Sequence, residues 1–201
     1  MIARLSSETQ LHHSEVDADL ERLVAEPTAH AYRAWLLRQH GVLAPLEGAL
    51  ETMSPLPDAF DLRSRRKVPR LRSDLLALGM THAAVIAAPI CGAVPTMFTR
   101  TSIALGWLYA VERSIVQYSA AFRHLARVLP GEVAFASSYL KCYDGNAGAM
   151  WRSFAGALEA HCKRPEDAGE LVAGAQDAFR CLKRWNQSGA GTSLAAWRRD
   201  A

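Results

Sequence analysis

The stretch Ala104-Leu-Gly-Trp-Leu-Tyr-Ala-Val-Glu-Arg-Ser-Ile-Val-Gln-Tyr-Ser-Ala-Ala-Phe-Arg-His-Leu125 spaces its apolar residues three and four apart, the pattern of a helix that buries one face. It sits in a longer helical segment from about Thr101 to Leu129. Within it Arg113 and Gln117 are four residues apart and project together, whereas Tyr118 points about 100° away from Gln117. Outward from this segment the chain reads the same way, with abundant alanine, leucine and arginine and little strand-like alternation. Further helices are expected at about Ser6 to Val24, Thr28 to Met53, Lys67 to Leu78, Gly131 to Tyr143, Ala147 to Ala160 and Pro165 to Trp185. The expected fold class is all-α.

Proline and glycine punctuate these helices at Ser54-Pro-Leu-Pro57, Ala88 to Pro95, Pro130-Gly131, Asp144-Gly145 and Lys163-Arg-Pro165. None of these breaks reads as an interdomain linker. The chain has 201 residues, half of them hydrophobic, enough for one sizeable core. Residues 1–185 are therefore expected to form a single domain, with 186–201 a mobile tail beyond the last packed helix.

With 23 basic against 20 acidic residues the charge balance does not mark a nucleic-acid binder. The densest basic run, Arg63 to Arg72, lacks interleaved aromatics and reads as a solvated face. Cys91, Cys142, Cys162 and Cys181 form no Cys-x-x-Cys pair, so neither a zinc site nor a thioredoxin-like motif is supported, and reduced buried thiols are expected. His30, His40, His82, His124 and His161 make no ligand pair and read as structural or exposed. The N-terminus carries Glu8, His12, His13 and Glu15 instead of an apolar signal core. The longest apolar run, Ala83 to Cys91, falls far short of the roughly 20 residues a membrane span needs, so a soluble cytoplasmic protein is expected.

On the first helix, Thr9, His13, Val16 and Leu20 fall on one stripe, while Glu8, His12, Glu15 and Asp19 form a polar course that reads as solvated. His13 is thus the inward imidazole. Periodicity alone leaves it either a hydrogen-bonded core histidine or a ligand.

A resemblance narrows that choice. Thr9-x-x-x-His13-x-x-Val16-Asp17, Tyr32-x-x-Trp35-Leu36, His40-x-x-Leu43-x-Pro45-Leu46-Glu47 and Arg65-Arg-Lys67-x-Pro69-x-Leu71-x-x-Asp74-Leu75-x-x-Leu78-Gly79 occur in order. They are followed by Leu105-Gly106-x-Leu108-Tyr109, Glu112, Phe135 to Tyr143, Trp151-Arg152-x-Phe154 and Phe179-x-x-Leu182-x-x-Trp185. This ordered set, covering the chain to about Trp185, resembles the bacterial heme oxygenases, above all those that accompany bacteriophytochromes. The resemblance implies a compact helical fold with heme between a proximal helix bearing its axial histidine, here His13, and a distal helix. It also implies that heme is both cofactor and substrate, opened at a meso carbon to biliverdin, carbon monoxide and ferrous iron, using O2 and an external electron donor or reductase. Arg152 falls near a family position for heme propionates, with Lys183, Arg184 and Arg4 as lesser candidates; arginine suits a carboxylate because its planar fork binds it in two places.

The chain departs from the family pattern on the distal helix. Members usually carry Gly-x-x-x-Gly-Gly, whose lack of side chains lets the helix bend close to the porphyrin and leaves space for dioxygen and ordered water. Here Arg113, Gln117 and Tyr118 take those places. Three readings follow. The helix kinks or shifts, Arg113 or Gln117 serves as a distal hydrogen-bond donor, and oxidative cleavage survives; this is the leading reading. Alternatively, heme binds through His13 without turnover, as in a sensor or carrier. In the third, the polar cluster closes the pocket and leaves a heme-free interaction protein. Against all three stands an Arg113 on a polar helix edge, paired with a carboxylate such as Glu112.

Overall fold

The computed structural model describes residues 1–53, 61–143 and 145–189, and every regular element among them is helical. In chain order these are α1 (Ile2–Ala25), α2 (Ala29–Glu51), α3 (Val68–Ala77), α4 (His82–Ile86), α5 (Thr101–Ser114), α6 (Tyr118–Val128), α7 (Pro130–Phe135), α8 (Ala147–His161) and α9 (Pro165–Gln187). The expected all-α class is what forms. The prolines of 54–57, Asp144 and residues 190–201 of the expected tail lie outside the described residues, while Asn186 and Gln187 belong to α9. No described helix is long and apolar enough to cross a membrane.

Local chemistry explains most of the ends. Thr28 caps α2 by accepting the Ala31 N–H at 3.0 Å. Gly79, at φ +95°, ends α3 while its N–H donates to the Leu76 carbonyl and that of Met80 donates to Leu75. Pro45 inside α2 has no N–H for the carbonyl of Gly41, and that carbonyl instead accepts the N–H of Cys91 at 2.8 Å. The proline thus creates an anchor for the 87–100 loop.

Two expected helices are corrected. The segment 101–129 is not continuous: a 3-10 turn at Ile115–Gln117 separates α5 from α6. Ser114 donates back to the Ala110 carbonyl at 3.1 Å, a bond that bends helices, and β-branched Ile115 and Val116 follow it. The bend is made without a glycine. The helix expected from Gly131 to Tyr143 stops at Phe135, because tertiary partners capture its backbone. The buried Asp74 carboxylate accepts the N–H groups of Ser138 (2.9 Å) and Tyr139 (2.8 Å), and the Tyr32 hydroxyl donates to the Ala136 carbonyl.

Helix α9 is the central strut, and its contact with α5 is the most extensive between any two helices, followed by that with α1. Two reciprocal glycines allow it. A Cβ on Gly106 of α5 would come within 3.0 Å of backbone atoms of Leu171, Gly174 and Ala175, and one on Gly174 within 3.0 Å of the backbone of Ile103. Helix α2 completes the core with Tyr32 and Trp35, the latter against Tyr118 (5.8 Å between centroids) and Tyr139 (5.5 Å).

His40 on α2 is buried with neither ring nitrogen hydrogen-bonded to a described residue. Burial, aided by the nearby Arg72 charge, pushes its pKa down to about 4. A folded pKa below the unfolded value means that the folded state resists the proton, so this stability is full above about pH 6.5 and is lost toward pH 4. Burial raises the Glu47 and Asp74 carboxyls, which act in the opposite direction, so the informative quantity is the difference between variants. We expect His40→Leu, followed by urea unfolding at pH 7, 5.5 and 4.5, to be less acid-sensitive than the wild type by on the order of 2–3 kcal/mol across that range. Parallel pH profiles would show that His40 titrates normally.

Candidate functional site

The residues singled out on α1 and the distal helix meet at one seam. His13 is half-buried, and its Nε2 lies 2.8 Å from the Thr9 hydroxyl, which itself donates to the Leu5 carbonyl at 2.7 Å. With its only proton given to Leu5, that hydroxyl accepts from the ring, which places the imidazole proton on Nε2. The His13 ring tilts against Phe179 of α9 (5.3 Å between centroids, 51°), and Tyr109 of α5 meets the same phenyl edge-on at 6.3 Å. Burial holds the His13 pKa below its ordinary value, Arg113 and His12 push the same way, and Asp17 opposes them. The ring is therefore biased toward the neutral form, the one that can donate a lone pair to a metal.

Arg113 does project from the distal helix toward α1, and its partner is a carboxylate, Asp17 rather than the adjacent Glu112. The guanidinium forks onto both carboxylate oxygens at 2.8 Å each. Asp17 is four residues beyond His13, so the fork ties α5 to α1 one turn from the imidazole. Asp17 was the residue missed by sequence reasoning, although its i+4 spacing from His13 was the available signal.

Beyond the fork lies a cavity of about 40 Å³ between Asp17, Leu20, Trp35, Ser114, Gln117 and Tyr118. That is room for water and for nothing the size of a small-molecule ligand. Gln117 faces it and also borders an open groove of about 490 Å³, lined by Leu20, Val24, Ala120, Ala121 and His124. Of these two spaces, the groove has the volume of a typical small-molecule site, on the order of 300–1,000 Å³. Its near end, Leu20, is seven residues from His13, about 10 Å along the helix. The closed seam and the open groove are thus successive parts of the same α1–distal-helix crevice.

Tyr118, the third distal candidate, sits on the wall of the small cavity with most of its side chain in the core. Pointing away from Gln117, it is buried, and its hydroxyl meets that of Tyr139 at 2.7 Å. Lys183 lies across from α1, ion-paired with Glu15, and four residues beyond Phe179. Arg152 is exposed on α8, with no hydrogen bond or ion pair to a described residue, so the structure does not gather it with His13 and Arg113. Arg4 pairs with Glu8 at 2.6 Å, and Arg184 donates to the Arg180 carbonyl at 3.3 Å.

Each of the two surfaces expected to be solvated sends charged residues inward. Asp19 is buried and bridged by Arg38 (2.8 Å) and Arg22 (3.0 Å). From the basic run, Arg65 and Lys67 turn inward and hold the two oxygens of buried Glu112 at 2.9 and 2.6 Å, with the Tyr143 hydroxyl on the same carboxylate. Glu112 is thereby occupied, which is why Arg113 goes to Asp17.

No family model matches the chain. A protein named heme oxygenase from Xanthomonas campestris pv. campestris (strain 8004) is 31% identical over 151 residues, covering 75% of this chain and 86% of that one. Among solved structures, the NO- and CO-bound heme oxygenase from Neisseria meningitidis superposes with a TM-score of 0.75 at 22% identity, covering 99% of this chain and 94% of that one. The latter likeness establishes the fold. Together with identity at that level over most of the Xanthomonas relative, it carries the histidine, the bent distal helix and the α9 wall into one conclusion: this chain belongs to the heme oxygenase family.

Proposed function

We propose that the chain binds heme through His13 as axial ligand and opens it to biliverdin, carbon monoxide and ferrous iron in the cytoplasm, with O2 and electrons from an external donor. Heme supplies the dioxygen-activating chemistry and is itself consumed. The observation that carries this reading is the His13 imidazole, its pKa lowered by burial and by Arg113, at the meeting of α1, α5 and α9 in a member of this family. Thr9 orients the ring through Nε2, and release of that hydrogen bond together with a shift of the ring proton to Nδ1 would free Nε2 for iron. Phe179 walls the imidazole. Lys183, on the same face of α9 as Phe179, is the cation best placed to exchange Glu15 for a heme propionate, with Arg152 as the outlying alternative. On the distal side Arg113, once released from Asp17, and Gln117 offer N–H donors where the family pattern has bare glycines.

One observation favours a second reading. The Arg113–Asp17 fork ties the two helices together beside His13 and leaves about 40 Å³ behind it. A protein that opens this fork to hold heme, but keeps the guanidinium over the reacting edge, acts as a heme sensor or carrier.

Both readings are tested by a hemin titration followed at the Soret band, continued with ascorbate or a reductase in air, on wild type, His13→Ala and Arg113→Ala. Under the proposal the wild type loses its Soret band as biliverdin appears, His13→Ala loses iron ligation with its helicity intact, and Arg113→Ala binds hemin more tightly. Because the His13 pKa is lowered, hemin affinity should stay flat through neutral pH and decline only below the ordinary histidine range near 6.5. Stable His13-dependent binding without turnover selects the carrier. No binding at all selects a heme-free interaction protein.

A further inference from the structure

Cys91 and Cys181 bring their sulfurs to 3.4 Å, both buried, across 90 positions of sequence. The approach is built by the backbone. Pro45 frees the Gly41 carbonyl, the Cys91 N–H takes it at 2.8 Å, and a Cβ on Gly41 would strike Trp185 and the Pro89 carbonyl within 3.0 Å. Trp185 in turn donates its indole N–H to the Arg38 carbonyl at 3.0 Å. The loop cysteine is therefore pinned against α9 one turn before that tryptophan, and the sulfur of Cys181 meets it at the centre of the knot.

We propose that Cys91 and Cys181 are an oxidisable pair that forms a disulfide under peroxide, fastening the 87–100 loop to α9. In the reaction one thiolate attacks a peroxide oxygen, the O–O bond breaks, and a sulfenic acid and water result. The second thiol then displaces the sulfenic hydroxyl as a second water, forming the S–S bond. Two thiols are oxidised and one hydrogen peroxide is reduced. The sulfurs need close only from 3.4 Å to a bonded ~2.05 Å. Burial pushes the Cys181 thiol up to about 12, so the reaction is slow at neutral pH and quickens as pH rises. The pair is separate from the heme reading and does not depend on it. Cys142 and Cys162 have no sulfur partner among the described residues and serve as internal references.

The test exposes the folded protein to hydrogen peroxide, quenches with acid, unfolds it in guanidinium, alkylates with iodoacetamide and weighs it intact. The wild type should take four labels before oxidation and two after, regain four after dithiothreitol, and yield one tryptic species joining the Cys91 and Cys181 peptides. Cys181→Ser and Cys91→Ser should each keep all three remaining labels under the same treatment. Because the closed loop is long, the oxidised wild type should also melt about 5–10 °C higher than the reduced form. Should one serine variant fail to fold by circular dichroism, the other and the wild-type peptide map still decide. Four labels after oxidation, a link through Cys142 or Cys162, or gain of oxygen on Cys91 without a link would each overturn the proposal.

Discussion

Glu112→Ala is expected to lower the unfolding free energy by about 3–5 kcal/mol, a large share of the ~5–15 kcal/mol that holds a domain folded. Among the described residues, Glu112 is the carboxylate hydrogen-bonded to the side chains of both Arg65 and Lys67, which are 4% and 2% exposed. Lys67 has further contacts with the Arg65 carbonyl at 2.9 Å and the Tyr143 hydroxyl at 3.3 Å, and Arg65 with the Met150 carbonyl at 3.0 Å. None of these neutral acceptors replaces the lost charge. Truncating the carboxylate removes the negative charge that the two buried cations share, whereas Glu112→Gln keeps the shape and one acceptor and should cost less. Lys67→Met should cost less again, since it removes a surplus positive charge and leaves Arg65 with Glu112. Guanidinium unfolding followed at 222 nm ranks the three. If Glu112→Ala cost under 1 kcal/mol, the cations would have to be hydrated in solution, contrary to the burial described here.

The second large effect is steric. Gly106→Ala puts a methyl into the backbone of α9, and because the obstacles are the Leu171 carbonyl and the Ala175 N–H, no side-chain rotation relieves it. The helices must part along the longest contact in the molecule. We expect a loss of about 3 kcal/mol or more, at the upper end for overpacking. Gly174→Ala, which meets Ile103 backbone in the same crossing, should cost a similar amount. The double variant should fall well short of the sum, because one separation of the helices accommodates both methyls. Additive losses in thermal or denaturant unfolding would mean that the two glycines act at independent places.

Much of this was legible in the sequence because it was local. Helical spacing found most of the helices, and the stripe through Thr9, His13 and Val16 marked a face on which Thr9 and Val16 are buried and His13 is half-buried, as its neighbour His12 also is. What escaped was long-range. Nothing in the order Arg65-Arg-Lys67 shows that alternate cations turn inward to a carboxylate some 45 residues away. Asp74 ends the helix after Phe135 from 64 residues away, and the hydroxyl of Tyr32 does so from 104. The bend at Ile115–Gln117 was hidden because a serine back-bond and two β-branched residues perform the task for which glycine is the usual marker. Arg113 illustrates the limit: its face could be read from periodicity, but its choice of Asp17 over Glu112 depended on which carboxylate was already taken.

The position of α9 in the chain sets an order of events during synthesis. Helices α1 and α5 each bury their main face on a segment that begins only at Pro165. Until that segment has left the ribosome, the glycine notch on α5 has nothing to receive, the imidazole of His13 has no wall, and the sulfur of Cys91 faces no partner. The nascent chain must therefore wait with its first and middle helices uncovered, a period in which chaperone capture and aggregation compete with folding. The contacts of α9 with α1 and α5 are of long sequence separation, so even after release this chain should fold slowly for a helical protein of this size.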